Sequence, residues 1–140
     1  MNLKRFKDAQ DKDYDTALAE IRNGRKVSHW MWYIFPQVAG LGTTDISQHY
    51  AIKDIGEATD YLMDQELGLR LTNICKALLE LETNDAYQVF GSPDNLKLKS
   101  SMTLFEAVPA TFPVFGQVLD KFYGGERDQR TLQLLGIQPG

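Results

Sequence analysis

The sequence predicts an all-α fold, an irregular single-domain bundle of about seven short helices over residues 1–140. Three observations carry that expectation. Apolar residues recur at i, i+3, i+4 and i+7 in most segments. Gly, Pro and Asp punctuate the chain where such stripes begin and end. And no alternating, β-branched run offers a strand with a partner to pair with. A hydrophobic content of 43% and a charged content of 24% fit one ordinary folded domain with a real core.

Tyr14, Ala17, Leu18 and Ile21 make one apolar stripe, so residues 14–22 are the first helix, with Phe6 and Ala9 beginning the same helix or a short one before it. Asn23-Gly24 stops it, since glycine tolerates the left-handed conformation just past a helix end. The segment from Trp30 to Phe35 is wholly apolar or aromatic and holds both tryptophans of the chain. Ser28 reads as the N-cap of a short helix there, ended by Pro36. A buried strand is the alternative, because six apolar residues alone do not separate the two. Residues 38–48 read as a loop, rich in small and turn-forming residues. Gly40 and Gly42 would let backbone N–H groups approach an anion, but neither a dinucleotide fingerprint nor a P-loop is present.

Residues 57–63 form the next helix, with Ala58 and Leu62 inward. Asp64 is the N-cap of the longest helix, whose stripe is Leu67, Leu71, Ile74, Cys75 and Leu78, leaving Arg70 off the stripe. A short helical piece at 86–90 ends at Gly91-Ser92-Pro93. Asp94 is placed as the N-cap of a helix on which Leu98, Ser101, Met102 and Phe105 share a face. Two prolines break the chain at 108–113. Val114, Phe115, Val118, Leu119 and Phe122 make another stripe, closed by Gly124-Gly125. Asp128 caps a last helix that Gly136 ends, and the tail to Gly140 is expected to be mobile.

Composition excludes several classes of function. A net charge of −4 argues against binding duplex nucleic acid, which needs a dense cationic face. The one cysteine permits no intrachain disulfide, and on its apolar stripe Cys75 reads as a small buried hydrophobe. With no secretory h-region and no apolar run long enough for a bilayer, the expected location is cytoplasmic, with no membrane partner. The two histidines and single cysteine match no metal spacing, so no metal and no cofactor are expected. Ser28 and His29 are neighbours whose side chains diverge, and there is no nucleophile elbow, so a serine hydrolase is not expected.

What remains is a site of carboxylate, aromatic and amide or hydroxyl groups, which suits cleavage of an N-glycosidic bond. A carboxylate stabilises an oxocarbenium-like transition state or activates water. An indole stacks on a base, and Lys or Arg holds a phosphate. Glu57 is the candidate carboxylate, Trp30 and Trp32 the stack, and Lys97, Lys99 or Arg70 the phosphate ligand. The plain alternative puts Glu57 on a solvated helix face, the tryptophans in the core and the lysines in water.

The phrases GRKVSHWMWYIFPQ and AGLG, then YAI, LGLRL, VFGSPD, KLKSSMTLF and KFYGGE, cover nearly the whole chain in order. In them the sequence resembles the family called domain of unknown function 1810, a cytosolic helical domain without an established reaction. Some of its members are labelled calpastatin. Calpastatins are long disordered inhibitors, whereas this chain has regular helix stripes and a rich core. The resemblance singles out His29, Trp30, Trp32, Gln37, Tyr50, Glu57, Arg70, Asp94, Lys97, Ser100 and Ser101. The chain departs from the pattern at Asp64-Gln65, where relatives tend to carry His-Pro, and at Val27, where they tend to be basic. It is also similar, more weakly, to NADAR-type helical N-glycosidases in the order of Met102, Lys121-Phe122 and the leucine-rich segment 132–135. These likenesses imply a binder or N-glycosidase-like hydrolase of a nucleotide-like or ADP-ribose-related small molecule. In it Glu57 and His29 would be catalytic, and Trp30, Trp32, Gln37, Tyr50, Arg70, Lys97, Ser100 and Ser101 would hold the ligand. The rival expectation is a non-enzymatic protein-interaction module with an exposed apolar patch in place of a polar-rimmed pocket.

Overall fold

The computed structural model describes residues 3–137. Among these residues the chain forms nine helices and no strand. The first, α1 (Lys4–Arg22), is a single helix. Phe6, Gln10, Ala17 and Ile21 are all buried along it, so the stripe read from Tyr14 onward starts two turns earlier. Gly24 ends it in the left-handed region at φ 78°.

The aromatic segment is a helix of one turn, α2 (Met31–Ile34). Ser28 does not cap it. Trp30 occupies the capping position with no side-chain cap bond, and Ser28 turns back to α1. There Glu20 Oε1 accepts the N–H groups of Val27 at 2.7 Å and Ser28 at 2.9 Å, and the indole N–H of Trp30 at 2.9 Å. Glu20 Oε2 takes the Ser28 hydroxyl at 2.6 Å. One carboxylate therefore fixes the entry to the whole aromatic stretch, satisfying donors that a helix start would otherwise leave to water.

The expected loop after Pro36 is more ordered than its composition suggested. Ile52 N–H donates to Gln37 O and Ala39 N–H to Ile52 O, each at 2.8 Å, forming a lone parallel bridge between Val38 and Ile52. The bridge closes residues 39–51 into a flap, which contains α3 (Asp45–His49), capped by Thr44. Next come α4 (Ile55–Met63), capped by Asp54, and α5 (Gln65–Glu80), whose first N–H groups meet Asp64 Oδ1 at 3.0 and 3.1 Å. The two helices touch closely at Gly68, where a Cβ would lie 2.2 Å from the Leu62 carbonyl oxygen.

Further along are α6 (Ala86–Phe90), α7 (Asp94–Glu106), α8 (Val114–Tyr123) and α9 (Gln129–Leu135). Asp128 caps α9 as expected, through Thr131 N–H at 3.0 Å. Pro93, not Asp94, holds the capping position of α7, which frees the Asp94 carboxylate for lysines. The expectation for residues 138–140 lies outside the described residues.

The core lies where α5 and α7 meet their neighbours: α1, α4 and α8 around α5, and α4, α6, α8 and α9 around α7. A chain of rings runs through it, Phe6 to Tyr61 at 5.2 Å, Tyr61 to Phe105 at 5.2 Å and Phe105 to Phe115 at 5.7 Å. Buried Gln10 ties three helices together by donating to the Tyr33 carbonyl at 2.8 Å and the Tyr61 hydroxyl at 2.9 Å. Cys75 is fully buried, its sulfur 3.6 Å from that of Met102. None of the helices is long and apolar enough to cross a membrane.

Candidate functional site

The flap, the end of α2 and the first turns of α7 enclose a cleft of about 480 Å³. Trp32 and Gln37 form one wall, and Pro93, Leu96, Lys97 and Ser100 the facing one. The flap supplies the roof through Leu41, Gly42, Thr43, Thr44, Ile46 and Ser47. The volume is that of a small-molecule site, and the lining is largely apolar with a few polar groups.

Those polar groups are available to different degrees. The Lys97 ammonium lies 5.4 Å from the Trp32 ring centroid, within cation–π reach. The half-buried Gln37 uses its backbone carbonyl in the flap closure, while its side-chain amide makes no hydrogen bond among the described residues. The Ser100 hydroxyl donates to Leu96 O at 3.2 Å, which leaves its oxygen able to accept. Thr44 and Ser47 satisfy each other, the Thr44 hydroxyl donating to Ser47 Oγ and the Ser47 hydroxyl to Thr44 O, both at 2.9 Å.

Behind this wall is an ionic cluster. Asp94 Oδ1 is 3.5 Å from the Lys97 ammonium, and its Oδ2 is 2.9 Å from that of Lys26. The Lys26 side chain is only 8% exposed; it also donates to Ser28 O at 2.6 Å and lies 5.0 Å from the Trp30 ring centroid. Two lysine–tryptophan pairs, one buried and one at the cleft, thus share a single carboxylate. The Glu20 carboxylate anchors the buried pair. Partial burial opposes its ionisation, but the bonds from Ser28, Val27 and Trp30 outweigh that and hold it down to about 2.

Of the residues expected to form a site, the cleft gathers Trp32, Gln37, Lys97 and Ser100. The others lie elsewhere. Trp30 is 1% exposed and packs on Phe35 and Phe90 in the core. Ser101 is fully buried, and its hydroxyl finds no partner among the described residues. His29 is exposed and lies away from the cleft, its backbone carbonyl accepting from the Tyr33 hydroxyl at 3.3 Å. Tyr50 stacks against His49 and Tyr33 and lines a separate groove with Arg5 and Lys12. Arg70 pairs with Asp11 at 2.9 Å across the seam of α1 and α5 and lies 5.6 Å from the Tyr14 ring. Lys99 forms an ion pair with Glu126.

Glu57 is neither at the cleft nor on a solvated face. It is 5% exposed, and its Oε1 accepts from Arg5 at 3.1 Å and from Lys53 N–H at 2.9 Å. Together with Asp54, which accepts from Glu57 N–H at 2.9 Å, it closes the start of α4. The sequence signal was present, since Asp-x-x-Glu before an apolar stripe is a capping pattern. The flap residues were overlooked for a similar reason: Thr44, three residues before Ser47, is a capping signal inside a stretch read as loop. Lys26 gave no signal, because nothing in the sequence links it to a carboxylate 68 positions later. Among the described residues, no three His, Cys, Asp or Glu side chains gather as a metal site would require.

Comparison with known proteins agrees with the geometry at the level of fold. No curated protein matches the chain. The crystal structure of the conserved hypothetical protein Rv1873 from Mycobacterium tuberculosis is 41% identical, with 97% of each chain covered and a TM-score of 0.94. A likeness of that extent places the same helices in the same order around the same core. The family model for proteins of unknown function, DUF1810, matches residues 1–135, and the chain belongs to that family.

Proposed function

We propose that this protein binds a small, ring-bearing anion of the nucleotide class in the cleft between the flap and α7. The observation that carries this reading is the Trp32–Lys97 pair: an indole face and an ammonium 5.4 Å from its centroid, both lining one cleft. An aromatic face takes a base by stacking, and the lysine takes its phosphate as a point charge. The Gln37 amide offers a donor and an acceptor side by side, the arrangement that reads the edge of a purine. Leu41, Ile46 and Leu96 supply the apolar remainder.

Binding is favoured over turnover. The described residues lining the cleft include no Asp, Glu, His or Cys, so the N-glycosidase reading lacks an acid–base group there. Glu57, the carboxylate that reading relied on, is committed to Arg5 and Lys53. The rival reading, a protein-interaction module, is supported by the exposed Met63 on α4, Leu69 on α5 and Phe112 in the turn before α8. Met63 and Phe112 border one shallow groove between α4 and the 108–113 turn.

A thermal-shift panel of nucleosides, nucleotides, NAD, ADP-ribose and sugar phosphates tests the proposal. A ligand at about 100 times its dissociation constant stabilises the fold by roughly 2.7 kcal/mol. The expected result is a shift with nucleotides that Trp32→Ala and Lys97→Met each abolish while their own unliganded melting stays cooperative. No shift across the panel, or a shift that both variants retain, would remove this cleft as the site.

A further inference from the structure

We infer that the cleft selects nucleotides carrying one phosphate over those carrying two or three, and that Asp94 sets this preference. The inference rests on the nucleotide reading above. Among the described residues, Lys97 is the only cationic side chain lining the cleft. Its ammonium is shared with Asp94, 3.5 Å away, whose other oxygen is held by the buried Lys26 at 2.9 Å. Two lysines and one aspartate leave a single positive charge, and Lys26 is enclosed, so that charge is presented at Lys97. One phosphate ester, carrying about −1.5 to −2 near pH 7, already saturates it. A second phosphate finds no further cation in the described lining. It meets the apolar lining of Leu41, Ile46 and Leu96, which does not solvate it, and it comes under the negative field of Asp94, which lies behind Lys97 and outside the lining.

The test is calorimetric titration of the full chain with the nucleoside and its mono-, di- and triphosphate, for each of the four common bases, in EDTA so that no metal screens the phosphates. Monophosphate is expected to bind at least 10-fold tighter than both the nucleoside and the triphosphate for the preferred base. Lys97→Met should reduce the monophosphate to the affinity of the nucleoside. The double variant K26Q/D94N replaces the buried ion pair with two amides and leaves Lys97 in place. It should narrow the gap between mono- and triphosphate at least 5-fold. Where that variant does not melt cooperatively, a salt series on the unaltered protein decides: repulsion by Asp94 predicts a gap that narrows as salt rises. Equal affinity for mono- and triphosphate, a gap that K26Q/D94N leaves intact, or a gap indifferent to salt would overturn the inference while the cleft stays a nucleotide site. Absence of binding by every compound would instead sink the nucleotide reading itself, and the inference with it.

Discussion

The carboxylate of Glu20 is the most exposed weak point of the candidate site, because it positions the segment that carries Trp32 without touching the cleft. It accepts four hydrogen bonds, from Val27, Ser28 twice and Trp30. Its carboxyl is held down to about 2, against an ordinary value of 4.5. A tenfold change in proton affinity is worth about 1.4 kcal/mol, so the full depression is worth about 3 kcal/mol. The group is partly open to water, and screening leaves about half of that, roughly 1.5 kcal/mol. Glu20→Gln should therefore cost about 1.5 kcal/mol at pH 7. Glu20→Ala should cost about 3 kcal/mol, because it also strands the indole N–H of the buried Trp30. At about 3–5 °C per kcal/mol for a chain of this size, the alanine variant should melt about 10 °C lower. The sign of the pH dependence follows from a folded value below the unfolded one. The stabilisation is complete above the unfolded pKa and is lost as pH falls toward the folded one. Urea titrations followed by tryptophan fluorescence at pH 7, 5, 4 and 3 measure it. The gap between the natural protein and Glu20→Gln should stay constant from pH 7 to 5, and more than half of it should be gone by pH 3. A gap below about 0.3 kcal/mol at pH 7, or one as large at pH 3 as at pH 7, would refute this role for Glu20.

Three further outcomes are expected. Gly68→Ala forces a Cβ to within 2.2 Å of the Leu62 carbonyl, a backbone atom that cannot swing away, so urea unfolding should show a loss of about 2–4 kcal/mol. Asp64→Ala removes the cap of α5 and should cost about 1 kcal/mol in the same assay, an expectation that an unchanged midpoint would contradict. Burial pushes the Cys75 thiol well above its usual range, so a thiol reagent at pH 8 should label it only at the rate of global unfolding; prompt labelling of the native protein would mean that the seam of α5 and α7 opens locally.

Much of the fold was legible because its signals are local. The caps Asp64 and Asp128, the stops Gly24, Gly124 and Gly136, and the stripe from Leu67 to Leu78 each depend on residues within one or two turns, and each appears where periodicity put it. The misreadings involve partners distant in sequence. Ser28 looked like a cap because its neighbours are helical, but Glu20, eight residues back, claimed it first. Glu57 reads as a pocket carboxylate, or in the plain alternative a solvated one, because its partner Arg5 is 52 residues away. Residues 38–48 looked like plain loop because one isolated bridge has no periodicity to detect, and two backbone hydrogen bonds suffice to turn that loop into the roof of a cleft.

The two tryptophans show how a local reading, taken one step further, reaches the site. A strand places residues i and i+2 on one face, whereas a helix turns about 100° per residue and sets them about 200° apart. A helical segment is therefore incompatible with both indoles stacking on one ligand. Preferring a helix for this stretch already implied that one tryptophan faces inward and the other outward. The structure assigns the roles: Trp30 is enclosed with Phe35, Phe90 and Lys26, and Trp32 is left at the cleft beside Lys97. The inner indole has its N–H satisfied by Glu20, so its chemistry is spent on the fold. The outer pair is the mirror of the inner one in composition, a lysine against an indole joined through the same Asp94, but it borders open space instead of core. If the cleft serves recognition, variants of the outer pair must change binding with little effect on stability, and variants of the inner pair must do the reverse. Lys26→Met and Lys97→Met carry the same chemical change, so measuring both the melting temperature and nucleotide affinity of each separates scaffold from site. Equal loss of stability in the two would mean that Trp32 and Lys97 are an outlying part of the core, and the cleft only the gap beside it.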